Sequence, residues 1–318
     1  MRHNRDILWK SVLERVFDDL LRFVFPEADE VFDLQKKLGF LDKELAELYP
    51  TPEQEADVRH VDKLIEVSRK DGTGEWVLVH LEVQGETKAE DRPFFGERMF
   101  RYFYRIFDHY QKPIAAIAIF TGPDGHLLPD KFEYVFMNTR LQYQFTTLNI
   151  RDFSDQDLRE SNNPFAWVVL IAKKALLEGR VIDEKLLEGK LMLFRELYQN
   201  RTFDKQKLRA ILIFLVNYIR FKESETNRIF RERVDQFTDK KSTMDIWEQV
   251  AVWQKEDAFE EGMNKGLQEG LQKGVQKSQE RSVRNLLSDT EFSIDKIASL
   301  VEVPVAFVEK IKADLVAK

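Results

Sequence analysis

Two carboxylates and an amide are set into two apolar runs, VDKLIEV around Asp62 and WVLVHLEVQ ending at Gln84. Alternate side chains of a strand leave opposite faces. In the second run Val77, Val79, Leu81 and Val83 then make one apolar face, while Glu82 and Gln84 share the other with Trp76, Leu78 and His80. In the first run Asp62, Leu64 and Glu66 share a face. Acids near the ends of neighbouring strands suit a hard divalent cation, which takes carboxylate, carbonyl and water oxygens. Such a cation polarises a phosphate and lowers the pKa of a bound water, which is the chemistry of phosphodiester hydrolysis. Asp62 and Glu82 would supply two carboxylates and the Val83 carbonyl a third oxygen. Gln84 would hold the attacking water or a phosphate oxygen. Glu14, in the middle of the first helical segment, joins them if that helix packs over the strand ends. Mg2+ is the expected ion, with Mn2+ as a substitute. The plainer alternative makes Asp62 and Glu82 solvated strand-edge residues. Against it, a carboxylate held in an apolar strand without a partner is costly.

The elements that must position these residues follow from periodicity. Ile7, Leu8, Val12, Leu13, Val16, Phe17, Leu20, Leu21 and Val24 recur three and four residues apart, so a helix is expected from about Asp6 to Phe25, with Asn4 as cap and Pro26 as stop. Between Glu27 and Gln54 a short strand is expected, with Leu38, Phe40, Leu41 and Leu45 as core contacts. The polar turn Arg69-Lys70-Asp71-Gly72-Thr73-Gly74 joins the two strands as a hairpin. A helix follows Pro93, with Phe95, Met99, Phe103, Ile106 and Phe107 as its buried stripe. PIAAIAIFTG, opened by Pro113, reads as a central strand buried on both faces. A pair of shorter strands is expected near Phe132 to Met137 and Phe145 to Ile150. From about Ser154 to Trp253 the pattern is helical almost throughout. Strands among helices, then helices alone, argue for a mixed α/β domain followed by an all-α one.

Further along, Gly262, Gly266, Gly270 and Gly274 stand four residues apart. On a helix they drift around one face and form either a seam for close helix packing, through which the chain would self-associate, or a loosely ordered tether. The charged neighbours exclude a membrane version of this spacing. The final stretch reads as two short helices broken near Val301 to Pro304, with the pattern of a helix-turn-helix. Contact with DNA there is one reading and a purely structural pair the other.

The 318 residues are enough for a full core, and 43% hydrophobic with 12% aromatic content is ordinary for a globular chain. No run approaches a membrane span, and the N-terminal MRHNRDILWK has no signal-peptide core. The absence of cysteine excludes thiolate chemistry and disulfides and fits a reducing cytoplasm. A net charge of −7 means that phosphates would have to be held by local basic patches. The five histidines show no ligand spacing, although His80 shares the face of Glu82. Glu44 is a weaker candidate than Glu14. No glycine-rich phosphate loop and no Ser-His-Asp context is present.

DILWKSVLERVFDDLLRFVFPE, VDKLIEV, WVLVHLEVQGE and ERMFRYFYRIFDHYQKPIAAIAIFTG, taken in order, resemble the PD-(D/E)XK nuclease superfamily. Within it the chain is similar to the Rpn-type recombination-promoting nucleases, which are also described as transposase-like. The resemblance covers nearly the whole length. It implies an α/β fold with a restriction-endonuclease-like core (helix, three strands, helix, strand), followed by an all-α region and a C-terminal helical tail. The expected divisions are 1–153 for the nuclease-like domain, 154–255 for the helical domain, 256–288 for the glycine-spaced segment and 289–318 for the terminal helix pair. The resemblance places the metal-binding Asp at Asp62, the Glu at Glu82, and Gln84 where a lysine is usual. Glutamine is familiar there in the Rpn-like group, but it offers hydrogen bonds without the positive charge of lysine. Arg98, Arg101 and Arg105, three and four apart, would turn a basic face to the phosphate backbone, with Arg98 nearest the strand ends. For Arg101 and Arg105 a solvated helix surface is the equal alternative. The implied activity is Mg2+-dependent cleavage of DNA in recombination or mobile-element movement. The alternative is a weak or inactive DNA-binding or assembly protein that keeps the fold.

Overall fold

A computed structural model describes residues 2–41, 61–71, 76–84, 92–238, 247–248, 274, 277–288, 290, 292–301 and 303–316; for 2–4, 6, 61–62, 76–84 and 313–316 it describes the backbone alone. The first unit, 1–250, opens with helix α1 (Arg2–Val24) and the single turn α2 (Ala28–Val31), then strands β1 (Gly39–Phe40), β2 (Val61–Ser68) and β3 (Trp76–Gln84). Helix α3 (Phe95–Tyr110) leads to β4 (Ile114–Phe120), the hairpin β5 (Lys131–Phe136) and β6 (Thr139–Gln144), and β7 (Thr146–Asn149). Five helices follow: α4 (Asp155–Glu160), α5 (Pro164–Ala175), α6 (Asp183–Gln199), α7 (Lys205–Tyr218) and α8 (Ser224–Phe237). The chain is thus mixed α/β. Among the described residues no helix is long and apolar enough to cross a membrane.

The main sheet has the order β1-β2-β3-β4-β7. β2 runs antiparallel to β1 and β3, while β4 lies parallel to β3 and to β7. The IAAIAIF run of β4 is central, as its unbroken apolarity predicts, with Ile117, Ile119 and Phe120 buried. The two sheet faces have different covers. Leu64 meets Ile106, and Ala116, Ala118 and Phe120 pack on Phe95 and Met99, so α3 covers one face. α1 covers the other, where Phe17 packs edge-on against Phe40 with ring centroids 6.4 Å apart.

Local signals explain several boundaries. Asn163 accepts from the Phe165 N–H with Pro164 in the first turn of α5, and Asp204 accepts from the Gln206 and Lys207 N–H groups at the start of α7. α5 is buried on every side, which makes it the centre of the helical layer. It packs with α1 and α7. α1 is pinned to α7 by Lys207, whose Nζ lies 2.7 Å from Asp18 and 2.6 Å from Asp19. Burial nevertheless raises the Asp19 carboxyl, while Asp18, which burial also opposes, is brought down by its bonds to Lys207 and Arg22.

Three expectations are corrected. α1 begins at Arg2, so Asn4 lies inside it and does not cap it. Phe107 is 47% exposed and stacks on Phe103, so the buried stripe of α3 is Phe95, Met99 and Ile106. The short strands pair differently: Lys131–Phe136 pairs with Thr139–Gln144, and Thr146–Asn149 joins the main sheet beside β4. The polar alternation Arg140, Gln142, Gln144 hides β6 from any search for apolar runs, although period two is what an exposed strand shows.

Gly96 is where the hairpin meets α3. A Cβ there would lie 2.3 Å from the Lys131 carbonyl oxygen. Gly96→Ala is therefore expected to push the hairpin base off the helix and destabilise the unit by roughly 1–3 kcal/mol, the range for overpacking. A thermal midpoint equal to that of the unsubstituted chain would show that the contact yields freely.

The second unit, 251–318, holds a helical stretch at 277–288 and helices α9 (Ile294–Val301) and α10 (Val305–Val316). Val283, Ile297, Ala298, Val308 and Ile311 form its core. The Val303 N–H bonds back to the Ala298 carbonyl at 3.0 Å, which closes the turn between α9 and α10. Gly274 is helical with open space around it, whereas Gly262, Gly266 and Gly270 lie outside the described residues.

Candidate functional site

The hairpin of β2 and β3 sets Asp62 directly across from Glu82. Residues opposite each other in an antiparallel pair share a face, with Cα atoms about 4.5–5.5 Å apart. Leu64 across from His80 lies next along that same face, and Leu64 is buried against Ile106. The positions of Asp62, Glu82 and Gln84 therefore belong to the α3 side of the sheet. Gln84 pairs with Phe120, the last residue of β4. In the β3–α3–β4 crossover the helix runs opposite to both parallel strands, so its first turns lie over the strand ends that carry Glu82 and Gln84. Ligands of open α/β sheets collect at such carboxyl ends.

The Val83 backbone is paired on both edges, with Val61 and with Ile119. Its carbonyl points at a neighbouring strand, so an oxygen lone pair for a cation would be its second one. The residue types suit a hard cation: two acidic positions opposite each other in the register, with a backbone carbonyl between the second of them and Gln84. Among the residues whose side chains are described, no group of three or more His, Asp or Glu could hold a metal ion. Glu44 lies outside the described residues.

Glu14 is placed elsewhere. Its carboxylate accepts from Lys63 Nζ at 2.9 Å, and Lys63 is fully buried, with Nζ 4.8 Å above the Phe40 ring. Position 63 alternates with position 62, so the ion pair lies on the α1 side of the sheet. Glu14 and the pair Asp62–Glu82 thus belong to opposite faces. The sequence reading assigns no role to Lys63, yet the signal is present: a lysine shares its strand face with the buried Ile65 and Val67.

Of the three arginines, Arg98 lies closest to the strand ends. Ile106 sits level with Leu64 and His80, and the eight residues back to Arg98 rise about 12 Å, matching the roughly 13 Å from His80 to Gln84. Arg98 is half-buried, with its guanidinium 5.0 Å over the Phe95 ring. Arg101 is exposed and paired with Glu97, and Arg105 is exposed. The same sheet end carries Arg92, bonded to Asp124 at 2.8 Å, and Arg151, bonded to the Pro123 carbonyl at 2.5 Å. Arg92 opens a three-residue 3-10 turn (Arg92–Phe94) and Arg151 lies in the turn after β7, segments too short for hydrophobic periodicity to give a signal. In comparisons with family models, with curated proteins and with solved structures, this chain found no match.

Proposed function

We propose that this chain is a Mg2+-dependent DNA endonuclease whose centre is of the PD-(D/E)XK type. The observation that carries the reading is the antiparallel register that sets Asp62 across from Glu82 at the end of the sheet beneath the first turns of α3. The two carboxylates would hold the cation, with Val83 contributing its carbonyl. Bound there, the cation would supply Lewis acidity and a lowered water pKa. Gln84 would orient the attacking water by hydrogen bonding, and Arg98 would hold a phosphate oxygen over the strand ends. Glu14 is better assigned to balancing Lys63 than to catalysis. The Rpn-like resemblance supports this reading and supplies the setting of recombination or mobile elements.

The expected result is that purified protein converts supercoiled plasmid to nicked circles with Mg2+ or Mn2+ and stops when EDTA is added. Cleavage that is indifferent to EDTA, or no cleavage under any divalent ion, would remove the proposal. Gln84→Lys adds a positive donor where charge develops on the phosphate, and a roughly tenfold faster rate is expected, below the full value of an oxyanion-type donor. An unchanged or slower rate would mean that position 84 does not face the reacting phosphate.

A second reading has its own observation. Gln84 carries no charge and Glu14 is engaged by Lys63, so two contributors to a strong active centre are missing. A non-cleaving DNA-binding or assembly protein would then show duplex binding without a carboxylate-dependent Mg2+ site in calorimetric titration.

A further inference from the structure

Outside the candidate site, exposed apolar surface is concentrated at the tip of the β5–β6 hairpin. Tyr134, Val135 and Phe136 are exposed, and Met137 is 82% exposed. A monomeric surface scatters single apolar side chains, but a run of four at one turn is a patch. The base of the hairpin is packed: Phe132 stacks on Phe100 at 5.2 Å and Tyr143 lies 4.9 Å from Phe103. α3 covers only this half. The outer half of the same face, with Tyr134 across from Leu141, extends beyond the helix.

The turn itself is strained. Phe136 pairs with Thr139, which leaves Met137 and Asn138 as a two-residue connection, and Met137 has φ of 50°. Glycine is the ordinary residue at a positive-φ hairpin position, and a side chain there costs roughly 1–2 kcal/mol. Most of this methionine is open to solvent, so burial does little to offset that. The opposite face of the hairpin carries Val135 near the tip and is otherwise polar, with its acid paired. Arg140, Gln142 and Gln144 form an exposed row along β6, and Glu133, across from Gln142, is bonded to Lys131 at 2.8 Å. Lys131, Glu133 and Arg140 leave the hairpin net basic within a chain of net charge −7.

We infer that the β5–β6 hairpin is a duplex-DNA contact, with Phe136 and Met137 as an apolar wedge at a base step and Arg140, Gln142 and Gln144 as groove-reading donors. Amide and guanidinium side chains beside an apolar wedge are the chemistry by which proteins enter and kink a groove, and a two-stranded ribbon fits a duplex groove. The inference rests on the nuclease reading. The hairpin base abuts that site: Gly96 brings the Lys131 backbone against the first turn of α3, and Phe145 lies 5.9 Å from Phe95, which in turn packs on Phe120, the register partner of Gln84. A kinked duplex at the hairpin would thereby pass close to the paired acids.

The test uses the full chain and a fluorescein-labelled duplex of about 30 base pairs with EDTA present, so that binding is read without cleavage. Met137→Gly relieves the strained turn and removes the outermost side chain of the wedge. Its expected signature is a higher thermal midpoint together with about tenfold weaker duplex binding, the scale of one lost base-edge contact. Arg140→Ala is expected to weaken duplex binding about tenfold, again the scale of one lost base-edge contact. Variants that bind as tightly as the parent, while the parent still nicks plasmid with Mg2+, would overturn the hairpin assignment and leave the nuclease reading standing. A parent that neither binds nor nicks duplex would overturn both. A Met137→Gly variant of lower mass in solution with unchanged DNA affinity would make the tip a contact between copies of this chain and overturn the assignment.

Discussion

Asp62→Asn is expected to reduce Mg2+-dependent nicking by at least about 100-fold, because losing a direct carboxylate ligand exceeds the 10–100-fold typical of losing a residue that only supports one. The same change is expected to stabilise the metal-free protein. Asp62 lies directly across from Glu82 in the strand register, and like charges facing each other across a hairpin are unfavourable by roughly 0.2–1 kcal/mol. Asparagine keeps the shape and a carbonyl oxygen while removing the repulsion. The pair of readouts therefore moves in opposite directions, as expected at a site where charge is held together for function. Thermal unfolding with and without Mg2+ adds a third measurement, in which the parent is expected to gain stability from the ion and the variant to lose that gain. An Asp62→Asn protein that nicks at the parental rate would exclude Asp62 as a ligand. One that unfolds would show instead that this position serves the sheet.

Lys190→Ala is expected to cost about 2–5 kcal/mol, the scale for truncating a long buried side chain to alanine. Lys190 lies in α6, fully enclosed, and its Nζ donates at 2.7 Å to the carbonyls of Val216 and Ile219 at the C-terminal end of α7. The Phe221 and Phe230 rings face the ammonium at 4.8 and 4.5 Å. One amine thus serves the open carbonyls of one helix while drawing α8 over it through Phe230. Burial pushes its pKa down to about 7, against the nearby Glu178 and helped by Arg220. The sign follows from proton counting: between about pH 7 and the ordinary lysine value the unfolded chain carries the extra proton, so folding stability rises with pH across that window. Below pH 7 both states are protonated and the contribution is flat. Urea unfolding at pH 7 and pH 9 is expected to show this rise in the parent and to lose it in Lys190→Met. A variant that keeps the same slope would assign the pH dependence to another group.

Much of this arrangement is legible in the residues. The apolar alternation of β2 and β3 and the unbroken IAAIAIF run yield the hairpin and the central strand, and with them the level at which Asp62 meets Glu82. Proline punctuation ends α1. What escapes the sequence has physical causes. Glu14 faces outward by period, but only the packing of α1 against β2 shows that a buried lysine from the other face of the strand claims it. β6 is exposed and polar on one face, so it lacks the apolar signature by which strands are found. Arg92, in a single 3-10 turn, and Arg151, in the turn after β7, become neighbours of the strand ends only once the sheet has assembled.

The two acids are also brought together early in the life of the fold. β2 and β3 follow one another in the chain, and a short connection from Ser68 to Trp76 closes their ladder, whereas β3, β4 and β7 meet only after a helix and a second hairpin have intervened. Loop-closure entropy favours the first of these contacts. Lesions in α6, α7 or α8 are then expected to change how long the molecule stays folded without separating Asp62 from Glu82. A chain losing its helical layer would keep its paired carboxylates to the last.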